Sequence, residues 1–132
     1  MQLWSTASRL RLQEVAAGGQ IIFSFGTFNH GDGFDFDGFR GVLGHGFFPP
    51  PTHSAPISGD VHFDDSETWS ANQQSTAVDP IDLVTVAAHE IGHALGLRHS
   101  NVAGALMAPA YTGSHRFLSQ DDLDGIRAKY GR

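Results

Sequence analysis

Residues 79–99 read DPIDLVTVAAHEIGHALGLRH, and the spacing within them governs how the rest of the chain is read. Leu83, Val84, Ala87, Ala88, Ile91, Ala94 and Leu95 recur at intervals of three and four, the pattern of an α-helix with one broad buried face. Asp79 is placed to cap its start, with Pro80 at the first helical position and Asp82 near the third. Gly96 is expected to end it, because glycine opens a left-handed backbone conformation closed to bulkier residues. On this helix His89 and His93 stand one turn apart on the same face, so both imidazoles can reach one ion.

Glu90 is rotated about 100° from His89 on a helical wheel. From there its carboxylate reaches a water beside the ion rather than the ion itself. Past Gly96 the chain can swing His99 back as a third nitrogen ligand. Three neutral imidazoles and one water suit a tetrahedral zinc with an open position. Zinc lowers the pKa of such a water toward roughly 7 and polarises a carbonyl, and Glu90 is placed to accept the water's proton and return it to a leaving amine. Amide hydrolysis without a covalent intermediate is the chemistry this pattern implies. A buried structural histidine pair and a zinc site without catalysis are the competing readings, and Glu90 argues against the second because a structural site needs no base.

Composition narrows the field. The chain has 132 residues, enough for one domain with its own core. Eight Lys and Arg stand against 14 Asp and Glu, and the net charge of -6 disfavours a nucleic-acid partner. Cysteine is absent, which excludes disulfides, thiolate metal sites and a cysteine nucleophile, and leaves eight histidines as the soft ligands. No apolar run approaches the roughly 18 residues of a membrane span. The first dozen residues have no basic segment leading into an apolar core, so no signal peptide is read there.

Around the central helix the pattern predicts a helix end at Leu3 and Trp4, and strands over Arg9–Val15, Gln20–Phe25, Gly41–Phe47 and Asp60–Asp64. Residues 26–40, the proline-rich stretch 48–58 and residues 65–78 read as loops. A last helix runs from a Ser119 cap through Asp121, Asp122, Leu123 and Ile126 to Tyr130. His30 and Asp32, two residues apart, share one side of an extended segment, while His45 and His62 fall in neighbouring candidate strands. From spacing alone these four are either a second zinc site or scattered surface residues.

The string His89-Glu90-Ile91-Gly92-His93 through Gly96 to His99 resembles the metzincin metalloproteases, and the matrixin family, the catalytic domain of matrix metalloproteinases, is the closer likeness. The likeness extends over nearly the whole chain. It takes in Leu3-Trp4-Ser5, His30-Gly31-Asp32, Phe36-Asp37-Gly38, Leu43-Gly44-His45-Gly46-Phe47, Gly59 to Asp64 with Glu67 and Trp69, Ala105-Leu106-Met107 and Ser119 to Asp122. It implies an α+β fold with a twisted mixed sheet, a long active-site helix and a C-terminal helix, as one catalytic domain over 1–132. It implies a structural zinc on His30, Asp32, His45 and His62 beside the catalytic zinc on His89, His93 and His99. It also implies calcium on Asp37, Asp64 and Glu67 with the carbonyls of Gly38, Arg40 and Val42.

In the same likeness Met107 forms an apolar floor under the histidines, and Pro109 and Tyr111 wall the pocket for the residue after the cut bond. Leu43 and Gly44 pair antiparallel with an extended polypeptide substrate. The implied protein is a secreted, extracellular, monomeric zinc endopeptidase. A strand and most of a helix that the family carries ahead of Leu3 are missing, so the domain reads as N-terminally abridged, and a fragment without activity or a metal-binding domain without catalysis is the alternative. Direct pairing of the Arg9–Val15 and Gln20–Phe25 strands is the expected way to close the gap.

Overall fold

The computed structural model describes residues 2–72 and 78–132. The chain runs α1 (Gln2–Ala7), β1 (Phe23–Gly26), β2 (Gly44–Gly46), β3 (Val61–Asp64), β4 (Trp69–Ser70), β5 (Ile81–Asp82), α2 (Leu83–Ala94) and α3 (Gln120–Tyr130). The fold is mixed α and β, as expected.

β3 is the centre of a three-stranded mixed sheet in the order β1-β3-β2, parallel to β1 and antiparallel to β2. Its alternation decides what faces what. Val61 and Phe63 are buried with Val86 and Ala94 of α2, while His62 lies on the opposite face and is paired across the ladder with His45. On its other side α2 meets α1, α3 and the 105–107 turn through Trp4, Ala88, Ile91, Leu106, Met107 and Ile126. The helix is thus held between two apolar clusters. α1 is too short to persist alone, and Trp4 anchors it, fully buried with its indole N–H on the Ala88 carbonyl at 2.9 Å.

Three expectations need correction. α2 starts at Leu83 with Asp82, not Asp79, as its N-cap, because Ile81 and Asp82 are first drawn into a parallel bridge with Trp69 and Ser70. Arg9–Val15 forms no strand and does not pair with β1. Its backbone bonds go to the helices instead, Arg9 N–H to the Gly131 carbonyl and Leu12 N–H to Ser5 Oγ, and its alternation serves to pack Leu10 and Leu12 on the helical cluster. β1 therefore stays an edge strand, with Phe23 and Phe25 exposed. The 65–78 loop contains β4, and its residues 73–77 lie outside the described residues. The remaining strands are shorter than read: β2 and β3 fall within Gly41–Phe47 and Asp60–Asp64, while β1 ends one residue beyond the expected Gln20–Phe25.

Both helix ends at the site follow from sequence. After α2, Gly96 takes φ 89°, its N–H bonds to the His93 carbonyl, and Leu97 N–H bonds to the Gly92 carbonyl, the paired arrangement of a left-handed helix stop. α3 opens on a capping box in which Ser119 and Asp122 each bond the other's backbone N–H.

Candidate active site and metal centres

The ligand nitrogens of His89, His93 and His99 lie within 4.8 Å of one another. Two of the rings are fixed from behind. His89 Nδ1–H donates to the Leu106 carbonyl and His93 Nδ1–H to the Leu97 carbonyl, each at 2.7 Å, which leaves both Nε2 atoms as free acceptors toward a metal. The turn that stops α2 thus also orients His93. Burial lowers both imidazoles, that of His93 to about 4, so both are neutral and ligand-ready at ordinary pH. His99 completes the group from an exposed position. Burial pushes the Glu90 carboxyl up to about 8, partly offset by a hydrogen bond from the Gly46 backbone N–H. Burial of this carboxyl thus favours its neutral form.

Met107 is buried and packs against Gly92, the neighbour of His93 in α2, where an added Cβ would strike its sulfur. The turn is secured by a residue that sequence reading treated only as a helix-start acid. Asp122, 2 % exposed, accepts from the backbone N–H groups of Leu106 at 2.8 Å and Met107 at 3.0 Å. The signal for it was Ser119 three residues earlier, but a capping box does not reveal a second pair of partners.

The structure also brings His30, Asp32, His45 and His62 into one cluster. His45 Nε2 lies 3.3 Å from both His30 Nε2 and His62 Nδ1, and Asp32 Oδ2 is 2.7–2.8 Å from all three nitrogens. A tetrahedral zinc with bonds of about 2.0 Å separates its ligands by roughly 3.3 Å, which the two His–His distances match, and three imidazoles with one carboxylate are a zinc donor set; Asp32 lies closer, at hydrogen-bond distance. Phe36 stacks on the His30 and His45 rings at 4.5 Å and holds them. Burial raises the Asp32 carboxyl, but the Phe34 N–H, His62 and His45 outweigh it and bring it down to about 2.

Asp37, Asp64 and Glu67 do not form a third such cluster among the described residues. Their oxygens face the 37–42 loop and accept from its backbone: Val42 N–H to Asp37, Gly38 N–H to Asp64 and Arg40 N–H to Glu67. Glu67 Oε2 is buried without a hydrogen-bond partner, and burial raises this carboxyl, with the Arg40 N–H opposing and Asp64, Asp37 and Asp79 adding to the rise.

Leu43, Gly44, Pro109 and Tyr111 all line one cleft of about 790 Å³, together with His89, Glu90 and His99. Its far wall is tied to the start of α2 through Asp82, another partner set that the sequence did not disclose. The buried Asp82 carboxylate takes Arg116 Nε at 2.9 Å and Ser114 Oγ at 3.1 Å, with a further contact to Arg116 Nη2, and Tyr111 Oη accepts the Asp82 N–H at 2.8 Å. Burial raises the Asp82 carboxyl, but the hydrogen bonds from Arg116, Thr85 and Ser114 outweigh it and hold it below the usual range. The stabilisation is therefore complete above the ordinary carboxyl value of about 3.9 and disappears as pH falls through the lower folded value. The stability gap between the parent and Arg116→Gln, read from urea unfolding, is expected to be widest above pH 5 and to shrink below that value. A gap constant from pH 7 to 3 would contradict this.

A family model described as Matrixin matches residues 1–131. The chain is 47% identical over 131 residues to karilysin of Tannerella forsythia, covering 98% of this chain and 26% of that protein. It is 46% identical over 141 residues to matrix metalloproteinase-25 of Mus musculus, covering 100% and 22%. It is 48% identical over 132 residues to interstitial collagenase of Bos taurus, covering 98% and 26%. The chain spans about a quarter of the length of these curated relatives.

Proposed function

Because the chain belongs to the matrixin family of the metzincins, we propose that it is a zinc endopeptidase that hydrolyses internal bonds of extended polypeptides, with Glu90 as general base and acid. One observation carries this reading: two imidazoles pinned through Nδ1 to backbone carbonyls converge with His99 at a cleft, next to a buried carboxyl that is not one of the ligands. His89, His93 and His99 would hold the catalytic zinc, which when bound acidifies a water and polarises the substrate carbonyl. Glu90 takes a proton from the attacking water on its carboxylate and delivers it to the leaving nitrogen. The β2 edge from Leu43 and Gly44 binds the substrate main chain, and Pro109 and Tyr111 shape the pocket for the side chain after the cut bond.

His30, Asp32, His45 and His62 would hold the structural zinc. Calcium belongs to the same proposal: Asp37, Asp64 and the unpartnered Glu67 Oε2 supply hard oxygen beside the carbonyls of Gly38, Arg40 and Val42. The chain acts as one catalytic domain and as a monomer, in an extracellular setting rich in calcium. Among the described residues no helix is long and apolar enough to cross a membrane.

Elemental analysis coupled to cleavage of a generic peptide library tests this reading. Two zincs per chain are expected, with turnover that stops in chelator and returns when zinc is restored. A folded, zinc-loaded chain that cuts no extended peptide overturns it.

A further inference from the structure

The cleft continues past the three histidines into a second hollow of about 620 Å³, whose walls include Gly46, Phe48, Thr52, His93 and Arg98. Gly44, Glu90 and His99 line both parts, so the two hollows are one groove divided at the histidines. Its polarity follows from β2. The first hollow is lined by Val42 and Leu43 and the second by Gly46 and Phe48, so the strand runs from the first to the second. A peptide lying antiparallel to β2 therefore places the residues after the cut bond in the first hollow and those before it in the second.

Arg98 is the feature of the second hollow that the reaction does not use. Its backbone is fixed on both sides, by the Leu97 carbonyl that holds His93 and by His99 itself. Its side chain is exposed and, like those of Arg11 and Arg132, makes no hydrogen bond or ion pair among the described residues; of these three it is the one that lines the groove. Glu90, already committed beside the histidines, is the single carboxylate among the described residues lining this hollow. A guanidinium left unpaired in a chain of net charge -6, on the wall of a substrate groove, is a fork that matches a carboxylate.

We propose that Arg98 is a specificity-determining residue that favours substrates with an acidic side chain at one of the three positions preceding the cut bond. The proposal rests on the endopeptidase reading for its substrate. Side chains of an extended peptide alternate between its two faces, so one of these positions, not all three, is expected to meet Arg98.

The test is a cleavable peptide carrying Glu, Gln or Lys singly at each of the three positions, with kcat/KM measured for the parent, Arg98→Gln and Arg98→Glu. At one position the parent is expected to prefer Glu over Gln by about fivefold, the size of one solvent-screened ion pair, and to disfavour Lys. The preference should weaken as salt rises. It should fall to unity in Arg98→Gln and turn toward Lys in Arg98→Glu. Equal rates for Glu and Gln at all three positions in the parent, or an undiminished preference in Arg98→Gln, overturns the proposal. Failure to cut any peptide refutes the endopeptidase reading instead. Fluorescence anisotropy of the same labelled peptides on the zinc-loaded Glu90→Ala protein then tests Arg98 alone, and equal affinity for the Glu and Gln forms overturns its role.

Discussion

Glu90→Ala is expected to lower kcat/KM for peptide cleavage by about 10²–10⁴-fold, the usual contribution of a positioned general base, while leaving the zinc content of the protein unchanged. The two effects separate because the supports of the ligands do not pass through the Glu90 side chain. His89 is oriented by the Leu106 carbonyl and His93 by the Leu97 carbonyl, and both bonds survive truncation of a neighbouring carboxyl. The carboxyl is buried and its proton affinity raised, so its removal relieves a desolvation cost while taking the acceptor from the Gly46 N–H, two effects of opposite sign on stability. Kinetics with matched elemental analysis gives the answer. Turnover equal to the parent at full zinc occupancy excludes Glu90 as the base, whereas loss of zinc together with activity makes it a support of the metal site.

The parts of this site legible in sequence are those set by local geometry. His89, His93 and Gly96 are fixed relative to one another by a helical repeat and a helix stop, and the structure keeps that spacing. The second histidine cluster was half legible: the pattern put His45 and His62 in neighbouring strands, but the pairing of His45 with His62 is a register, which spacing does not specify. The Arg9–Val15 segment shows the limit most plainly. Leu10 and Leu12 alternate as a strand should, yet an alternating segment needs only one apolar surface, and the helical cluster provides it without any ladder. Asp79 looked like a helix cap for the same reason, since its local chemistry is as suitable as that of Asp82. What distinguishes Asp82 is a set of partners 29 to 34 residues away, Tyr111, Ser114 and Arg116, that no local window contains. Asp122 was hidden in the same way.

That residue carries the other large effect. Asp122→Ala is expected to destabilise the fold by roughly 3–5 kcal/mol, because it strips acceptors from several donors at once and each buried donor left unpaired costs about 1–3 kcal/mol before relaxation. The donors are Leu106 N–H, Met107 N–H, Ser119 N–H and Ser119 Oγ–H, all within 3.0 Å of the carboxylate. The consequence reaches the metal through one peptide group: Leu106 donates its N–H to Asp122 and accepts His89 Nδ1–H on its carbonyl. Once that peptide is loose, His89 loses its fixed tautomer and direction, and zinc affinity should fall about 10–100-fold, as when a ligand loses its outer hydrogen bond. Asp122→Asn keeps one acceptor oxygen and should recover part of both losses. Urea unfolding and competition with a chromogenic chelator measure the two independently. A variant that is destabilised but binds zinc as tightly as the parent breaks the link through Leu106, leaving Asp122 as a cap for α3 and an anchor for the turn with no hold on His89.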